Sequence, residues 1–217
     1  MKVGIIGHRS WIAQHLAEKI LLEFGYPYPI LKNDAAELDM STYDCVFLFS
    51  GRARPTDAER RAELDLLRGI ASMPRERFPK RLIYIGSMSV LEPADRRTEY
   101  GLHKSACEDI LIGSPNDENR ILIIRAPAVF GRGQSEFSPM LIPQLGVRGS
   151  MLELRDPDRP ATFIHVDELV KALMVSIGYE LGAGDGTMGD LLGYDPSFTI
   201  SPRQLKALRT TWQWYDD

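Results

Sequence analysis

The 217-residue chain is poor in cysteine, with two, and in histidine, with four. Cys45 and Cys107 sit in apolar or helical surroundings without a C-x-x-C pair, so no disulfide framework is readable and no metal site is expected. Basic residues do not exceed acidic ones. A net charge of −4 and a pI near 5.6 leave out the electrostatic footprint of a nucleic-acid-binding protein. No apolar run approaches about 18 residues and no signal peptide is readable, so neither membrane insertion nor export is expected, and a reduced cytoplasm is the expected setting. Internal repeats, low-complexity segments and linkers are also missing. At this length folding buries roughly 70% of the unfolded chain's surface, enough for a core that needs no covalent staple.

What is present begins at once. Met1 to Leu16 reads MKVGIIGHRSWIAQHL. Val3, Ile5 and Ile6 form an apolar run without polar alternation, as expected of a parallel strand covered on both faces. Gly7 follows where the chain must turn. Trp11, Ile12, Leu16 and Ile20 then recur at helical spacing, so a helix starts near Ser10 with its N–H groups aimed at the loop, an arrangement that binds phosphate. The dinucleotide pattern G-x-x-G-x-x-G stands here as Gly7-x-x-Ser10-x-x-Ala13, both replacements being small. Taken by itself, this spacing fits a cofactor loop and an ordinary strand-to-helix turn equally well.

The rest of the chain alternates strands and helices. Tyr28 to Leu31 reads as a short strand, Tyr43 to Ser50 as a clear one ended by Gly51, and Asp57 to Ser72 as an amphipathic helix. Arg81 to Gly86 is a buried strand, Tyr100 to Ile112 a helix, Arg120 to Arg125 a strand, and the run Thr162 to Val166 introduces a helix over Asp167 to Tyr179. This alternation predicts an α/β fold with a parallel sheet covered on both faces. Gly182 to Gly189 reads as a loop before a short C-terminal unit.

Tyr100 and Lys104, four residues apart on a predicted helix, share a face. An ammonium beside a phenol favours the phenolate and makes the tyrosine a usable proton donor and acceptor. Ser87 lies just past the strand Arg81 to Gly86, where its hydroxyl can hold a carbonyl or alcohol oxygen. A Y-x-x-x-K pair alone reads more simply as a helix with a solvated lysine. Its place after a Gly-Ser strand end and a dinucleotide-type entrance gives it meaning.

In order along the chain stand Gly7-His8-Arg9, Gly86-Ser87, Tyr100-x-x-x-Lys104, Arg125-x-Pro127, Phe163-Ile-His-Val-Asp167 and Leu192-Gly-Tyr-x-Pro196. With these motifs the chain resembles the extended short-chain dehydrogenases/reductases, the NAD-dependent epimerase/dehydratase superfamily, and within it the GDP-fucose synthase-like sugar-nucleotide enzymes. The resemblance implies a Rossmann-type doubly wound parallel sheet over residues 1–181, with a reduced C-terminal substrate lobe over residues 182–217 that is no independent domain. It implies an NADP(H)-dependent oxidoreductase, NAD(H) remaining possible, that reduces a keto group of a sugar, nucleotide-linked in the relatives. Ser87, Tyr100 and Lys104 are the expected catalytic residues. Gly7, Arg9, Ser10, Trp11 and Ile12 are expected at the cofactor's pyrophosphate, Leu38 and Asp39 near its adenine, and Phe49, Ser50, Gly51 and Pro127 along its length, with Tyr100 and Lys104 also touching it. Ser89, Arg132 and Arg159 are substrate-side candidates. For Arg132, Arg155 and Arg159 a surface role competes with a diphosphate clamp.

Departures from the family matter as well. Its members are about half as long again, mostly in the C-terminal part, and the stretch from Lys32 to Tyr43 is too short for a full crossover. Where GDP-fucose synthase-like enzymes place a proton-transferring cysteine and histidine, this chain has Ser89 and Met140, which favours plain reduction over epimerisation. Two other readings stay open: a sugar-nucleotide epimerase or dehydratase, and a non-catalytic dinucleotide-binding scaffold or sensor. Arg9 before the second glycine position, with Lys32 and Asn33 where a ribose-binding carboxylate would stand, points to NADP(H). The family also implies a homodimer through the helices Asp57 to Ser72 and Tyr100 to Ile112, in which Leu66, Leu67, Ile70, Ile110 and Leu111 either pair or cover the sheet. His165 reads as a core or strand-end residue, His8 as a loop residue, His103 as facing away from the Tyr100–Lys104 side, the charges from Asp57 to Arg61 as a solvated face, and Trp212 and Trp214 as packing for the last helix.

Overall fold

The computed structural model of the protein describes residues 1–51, 55–116, 120–131, 145–148, 151–154, 161–178 and 198–200. The opening run forms strand β1 (Val3–Ile6), and the chain turns back as helix α1 (Trp11–Phe24). Ser10 is the N-cap of α1, its Oγ accepting from the Ala13 N–H at 3.2 Å, and its φ of −68° is one that any residue adopts. A serine therefore replaces the second motif glycine without strain, and caps the helix besides. Ala13 is fully buried, its methyl filling the contact between helix and sheet.

Strands β2 (Tyr28–Ile30), β3 (Cys45–Leu48), β4 (Leu82–Ser87) and β5 (Ile121–Ala126) complete a five-stranded sheet in the order β2-β1-β3-β4-β5, every neighbouring pair parallel. Helices α2 (Asp57–Ala71) and α3 (Glu99–Ile112) link β3 to β4 and β4 to β5. The strand order turns round at β1, so a crevice opens beyond the carboxyl ends of β1 and β3, where doubly wound sheets bind their ligands. From Leu31 to Asp44 there are turns but no helix or strand. One crossover is trimmed, as the shortness of that stretch predicts.

Both sheet faces are covered, and the strands divide their side chains between them. Val3, Ile5, Cys45, Phe47, Ile83 and Ile85 face a core under α1 and α4 (Val166–Gly178), while Ile6, Val46, Leu48, Leu82 and Tyr84 face one under α2 and α3. Two buried faces leave no polar alternation in the strands, hence the continuous apolar runs. In the α2–α3 layer, Leu67, Ile70 and Leu111 are fully buried, and Leu66 and Ile110 pack against the same core. These five residues pack towards the sheet, Leu66 and Ile110 remaining half-buried.

Several short strands escaped the sequence pattern. Pro127, which has no N–H to donate, ends β5, and the chain starts again as β6 (Ala128–Phe130) in a second sheet. There β6 pairs in parallel with β9 (Ala161–His165), and β9 pairs antiparallel with β10 (Phe198–Ile200). Strands β7 (Leu145–Arg148) and β8 (Met151–Leu154) form an antiparallel hairpin. Strand β10 belongs to the segment read as a C-terminal lobe; the loop from Gly182 to Gly189, Trp212 and Trp214 lie outside the described residues. Among the described residues no helix is long and apolar enough to cross a membrane.

The tightest constraint on the entrance is Gly7. Its φ is +79°, and a Cβ there would stand 2.0 Å from the Phe49 carbonyl oxygen on the neighbouring strand end. A left-handed backbone costs a side chain roughly 1–2 kcal/mol before any clash. We predict that Gly7→Ala loses at least ~2 kcal/mol, seen in thermal melting as a fall of ~4–8 °C. An unchanged melting temperature would show that β1 and β3 are not packed this closely.

Candidate active site

A cleft of about 200 Å³ opens at the carboxyl ends of the strands, where the sheet order turns round. Its walls bring together Ser10 and Ile12 from the start of α1, Phe49, Ser50 and Gly51 after β3, Ser87 at the end of β4, Tyr100 and Lys104 from α3, and Pro127 after β5. These nine were picked out by the sequence, and residues distant in the chain converge because parallel strands deliver their carboxyl ends to one side. Gly7 shapes the turn beneath without lining the cleft, and Arg9, Trp11, Leu38 and Asp39 do not line it. Arg9 and Asp39 are exposed, the Asp39 carboxylate accepting from the Ser41 N–H, while Leu38 packs on the α2–α3 core. Met40, beside them, is wholly buried. Arg132, Arg155, Arg159 and Met140 lie outside the described residues.

Ser87 is placed by a 3-10 turn, Met88–Leu91, that begins on it. The Ser89 N–H donates to Ser87 Oγ at 3.2 Å and the Ser89 hydroxyl donates to it at 3.0 Å. A hydroxyl has two lone pairs and one proton. With both lone pairs engaged, Ser87 has its proton left to give, so it suits an oxygen that accepts, such as a carbonyl. Ser89 acts through Ser87 and is not itself on the cleft wall.

Lys104 lies deeper. Its side chain is 4% exposed, and its ammonium donates to Glu63 Oε1 at 2.7 Å, to the Ser50 carbonyl at 3.2 Å and to the Tyr84 hydroxyl at 3.3 Å. The ammonium also stands 5.8 Å from the centre of the Tyr100 ring. Glu63, on α2, is the residue that sequence reasoning missed. Its carboxylate further accepts the Ser50 hydroxyl at 2.7 Å and meets His103 Nε2 at 2.9 Å. Thus His103 does not face away from the lysine: both α3 residues converge on one carboxylate. A signal was available, since Glu63, Leu67 and Ile70 fall at helical spacing on one face, and that face is the buried one.

The electrostatics follow from burial and pairing. Burial by itself would raise the Glu63 pKa, but the Lys104 charge and the hydrogen bonds from Lys104, His103 and Ser50 outweigh it and hold the carboxyl below its ordinary value. Burial would likewise lower the Lys104 pKa, yet Glu63, with a smaller contribution from Tyr100, holds it above its ordinary value. Glu63, His103 and Cys107 bring ligand atoms within 4.8 Å of one another. They suit a metal poorly, because the Lys104 ammonium already claims the carboxylate and burial pushes the Cys107 thiol up to about 12, keeping it protonated.

The other histidines have plainer places. His165 ends β9, its Nδ1 accepting from the Asp167 N–H at 3.3 Å, as a strand-end residue. His8 lies in the loop between β1 and α1, its Nδ1 buried and without a hydrogen-bond partner among the described residues.

No family model matches the chain, and no curated protein matches it. Solved structures share its fold. MoeE5 in complex with UDP-glucose and NAD aligns with a TM-score of 0.69 at 19% identity, over 97% of this chain and 81% of that one. The NAD-dependent NDP-hexosamine 5,6-dehydratase TunA, involved in tunicamycin biosynthesis, aligns at 0.70 and 15% identity, over 97% of this chain and 80% of its own. Capsular polysaccharide assembling protein CapF from Staphylococcus aureus aligns at 0.65 and 16% identity; the chain is covered to 96% but spans 57% of CapF. The α/β fold with a parallel, doubly wound sheet that the motifs implied is the fold these proteins share.

Glu63 ties stability to pH. Its folded pKa is depressed from 4.5, so its ionisation contributes stability that is complete above that value and drains away as pH falls through the lower folded value. Denaturant unfolding should find Glu63→Gln weaker than the wild type by ~3 kcal/mol near neutral pH, since the change leaves a buried cation unanswered. The gap should narrow below about pH 4. A gap independent of pH would mean that the carboxylate is not ionised in the folded protein.

Proposed function

We propose that the cleft is the active site of an NADP(H)-dependent oxidoreductase that reduces a keto group of a sugar, most simply a nucleotide-linked one. The observation that carries this reading is the convergence of Ser87, Tyr100 and Lys104 on the same cleft as the N-terminus of α1, at the turning point of the sheet. A dinucleotide fits the entrance. Ser10, on the cleft wall, leaves the start of α1 uncrowded, and the Nδ1 of His8, without a hydrogen-bond partner among the described residues, offers a polar contact to a ligand. Among the solved structures of this fold, MoeE5 holds UDP-glucose and NAD, which supports a dinucleotide and a nucleotide sugar as the ligand classes.

A nicotinamide held along this cleft would supply the hydride. The chain's own groups do the rest: Ser87 donates a hydrogen bond to the carbonyl oxygen, and Tyr100 gives that oxygen its proton as negative charge develops on it. Lys104 keeps a positive charge beside the phenol throughout. The ketone gains one hydride and one proton and becomes an alcohol, so no further reactant is required. Ser89 is committed to Ser87 and has no acidic hydrogen to lend to the carbons beside the ketone. That favours reduction over epimerisation.

For the cofactor, Arg9 is exposed in the β1–α1 loop, and among the described residues no carboxylate pairs with its guanidinium. Lys32 follows β2, also exposed, where a carboxylate would bind the ribose of NAD. Two cations at this edge favour a 2′-phosphate. We predict that NADPH binds at least about tenfold more tightly than NADH in a fluorescence titration, the worth of one charge-assisted pair, and that Arg9→Ala erases most of the difference. Equal affinities in the wild type would contradict the assignment.

The reaction itself is tested by NADPH oxidation with a panel of 4-keto nucleotide sugars. Tyr100→Phe should lower kcat by ~10²–10⁴ while leaving NADPH affinity within a few fold. No turnover in the wild type despite tight dinucleotide binding would favour the scaffold or sensor reading instead.

A further inference from the structure

We propose that Glu63 is a positioning residue of the cleft: its buried carboxylate is the counter-charge that fixes the Lys104 ammonium between the end of β3, the body of β4 and the Tyr100 face of α3. This role deepens the reading of the cleft as a reductase site, and its physical content can be tested apart from activity.

An ammonium has three protons, and those of Lys104 go to Glu63, the Ser50 carbonyl and the Tyr84 hydroxyl. Of these three acceptors only Glu63 carries a charge. The carboxylate is itself held from three sides by Lys104, the Ser50 hydroxyl and His103. Gly51 closes over it: a Cβ there would stand 2.2 Å from Glu63 Oε2. The Ser50 hydrogen bond and the close approach of Gly51 join Glu63 to the cleft wall after β3. One carboxylate thus sets both the lysine and the wall against which a cofactor would lie.

The groups facing Lys104 come from every neighbouring element. Glu63 stands on α2, Tyr84 on β4, and Tyr100 and Cys107 on its own helix. Lys32, beyond β2, adds repulsion and is partly offset by its own attraction to Glu63. His103 shares the carboxylate without touching the ammonium, and Glu108, which also feels Lys104, is bound to Arg125 at 2.9 Å. Without Glu63 the lysine would be a buried cation among neutral hydrogen-bond partners. Such a lysine gives up its proton more readily, by up to 3–5 pH units in full burial. Its charge would then be present at low pH and lost as pH rises through the lowered value, and Tyr100 would lose its cationic neighbour with it.

The test compares wild-type protein, Glu63→Gln and Glu63→Asp, each labelled with 13Cε-lysine. The Lys104 resonance is assigned by its loss in Lys104→Met, and circular dichroism checks the fold. In the wild type the resonance should not titrate below about pH 10, in Glu63→Gln its midpoint should fall by at least ~2 units, and Glu63→Asp should restore wild-type behaviour. With the proposed keto substrate, kcat of Glu63→Gln should decline as pH rises through that midpoint, while the wild type holds. A Glu63→Gln resonance that titrates with the wild type overturns the proposal. The shifted resonance in a protein with no reductase activity upholds the role of Glu63 and defeats the reductase reading. Should Glu63→Gln not fold, the double variant Glu63→Gln/Lys104→Met decides. It should melt higher than Lys104→Met alone, because the stranded carboxylate is gone, and a lower melting temperature would count against the pairing.

Discussion

The Lys104 side chain is 4% exposed, and Glu63, 5% exposed on the facing helix, is the charge that answers its ammonium. Taking either ion out of water is expensive, and their attraction offsets that cost only with close geometry and further hydrogen bonds. Here both conditions hold, through the 2.7 Å contact, the bonds that Ser50 and His103 make to the carboxylate, and the bond that Lys104 gives to the Tyr84 hydroxyl. A pair of well-packed apolar residues would serve stability as well or better, so the ion pair is better understood as fixing arrangement. It ties α2 to α3 across the sheet's second face and ties both to the loop after β3. The cleft takes its floor from this tie.

The remaining architecture delivers groups to that floor. Parallel strands place Ser87, Ser50 and Pro127 at one end of the sheet, and the turn in strand order leaves the start of α1 on the same side. Small features then decide what each group can do. Ser89 fills the lone pairs of Ser87 and turns a residue that could donate or accept into a donor. Gly7 lets β1 and β3 approach where no side chain fits, and Gly51 does the same above Glu63. The two glycines are thus bound to different parts of one site, the entrance and the buried pair.

How far the sequence showed this depends on the length scale of each signal. Strands β1, β3 and β4 were legible because burial on both faces makes them continuous apolar runs. Helices α2 and α3 were legible from their spacing, and the boundaries fall within about two residues of the expected ones, the usual scatter at helix ends. Strands of three residues, such as β6 and β10, are too short to establish a period, and their pairing is decided by distant partners. Ser87, Tyr100 and Lys104 stood in recognisable motifs. Glu63 did not, because a carboxylate in a helix as charged as Asp57–Ala71 reads as solvated, and only its register with Leu67 and Ile70 sets it apart. His103 was misplaced for a related reason. Residues next to each other in a helix point about 100° apart, but two side chains can still close on one acceptor from a facing helix.

The central claim is that one cleft holds a dinucleotide and the Ser87–Tyr100–Lys104 set together, with Lys104 anchored by Glu63. A crystal structure of the protein grown with NADP⁺ tests it most directly. The account predicts the nicotinamide between Ser87 and Tyr100, the pyrophosphate at the start of α1, and the Lys104 ammonium still bonded to Glu63. A dinucleotide bound elsewhere, or a lysine swung out of the Glu63 contact to meet it, would contradict the account.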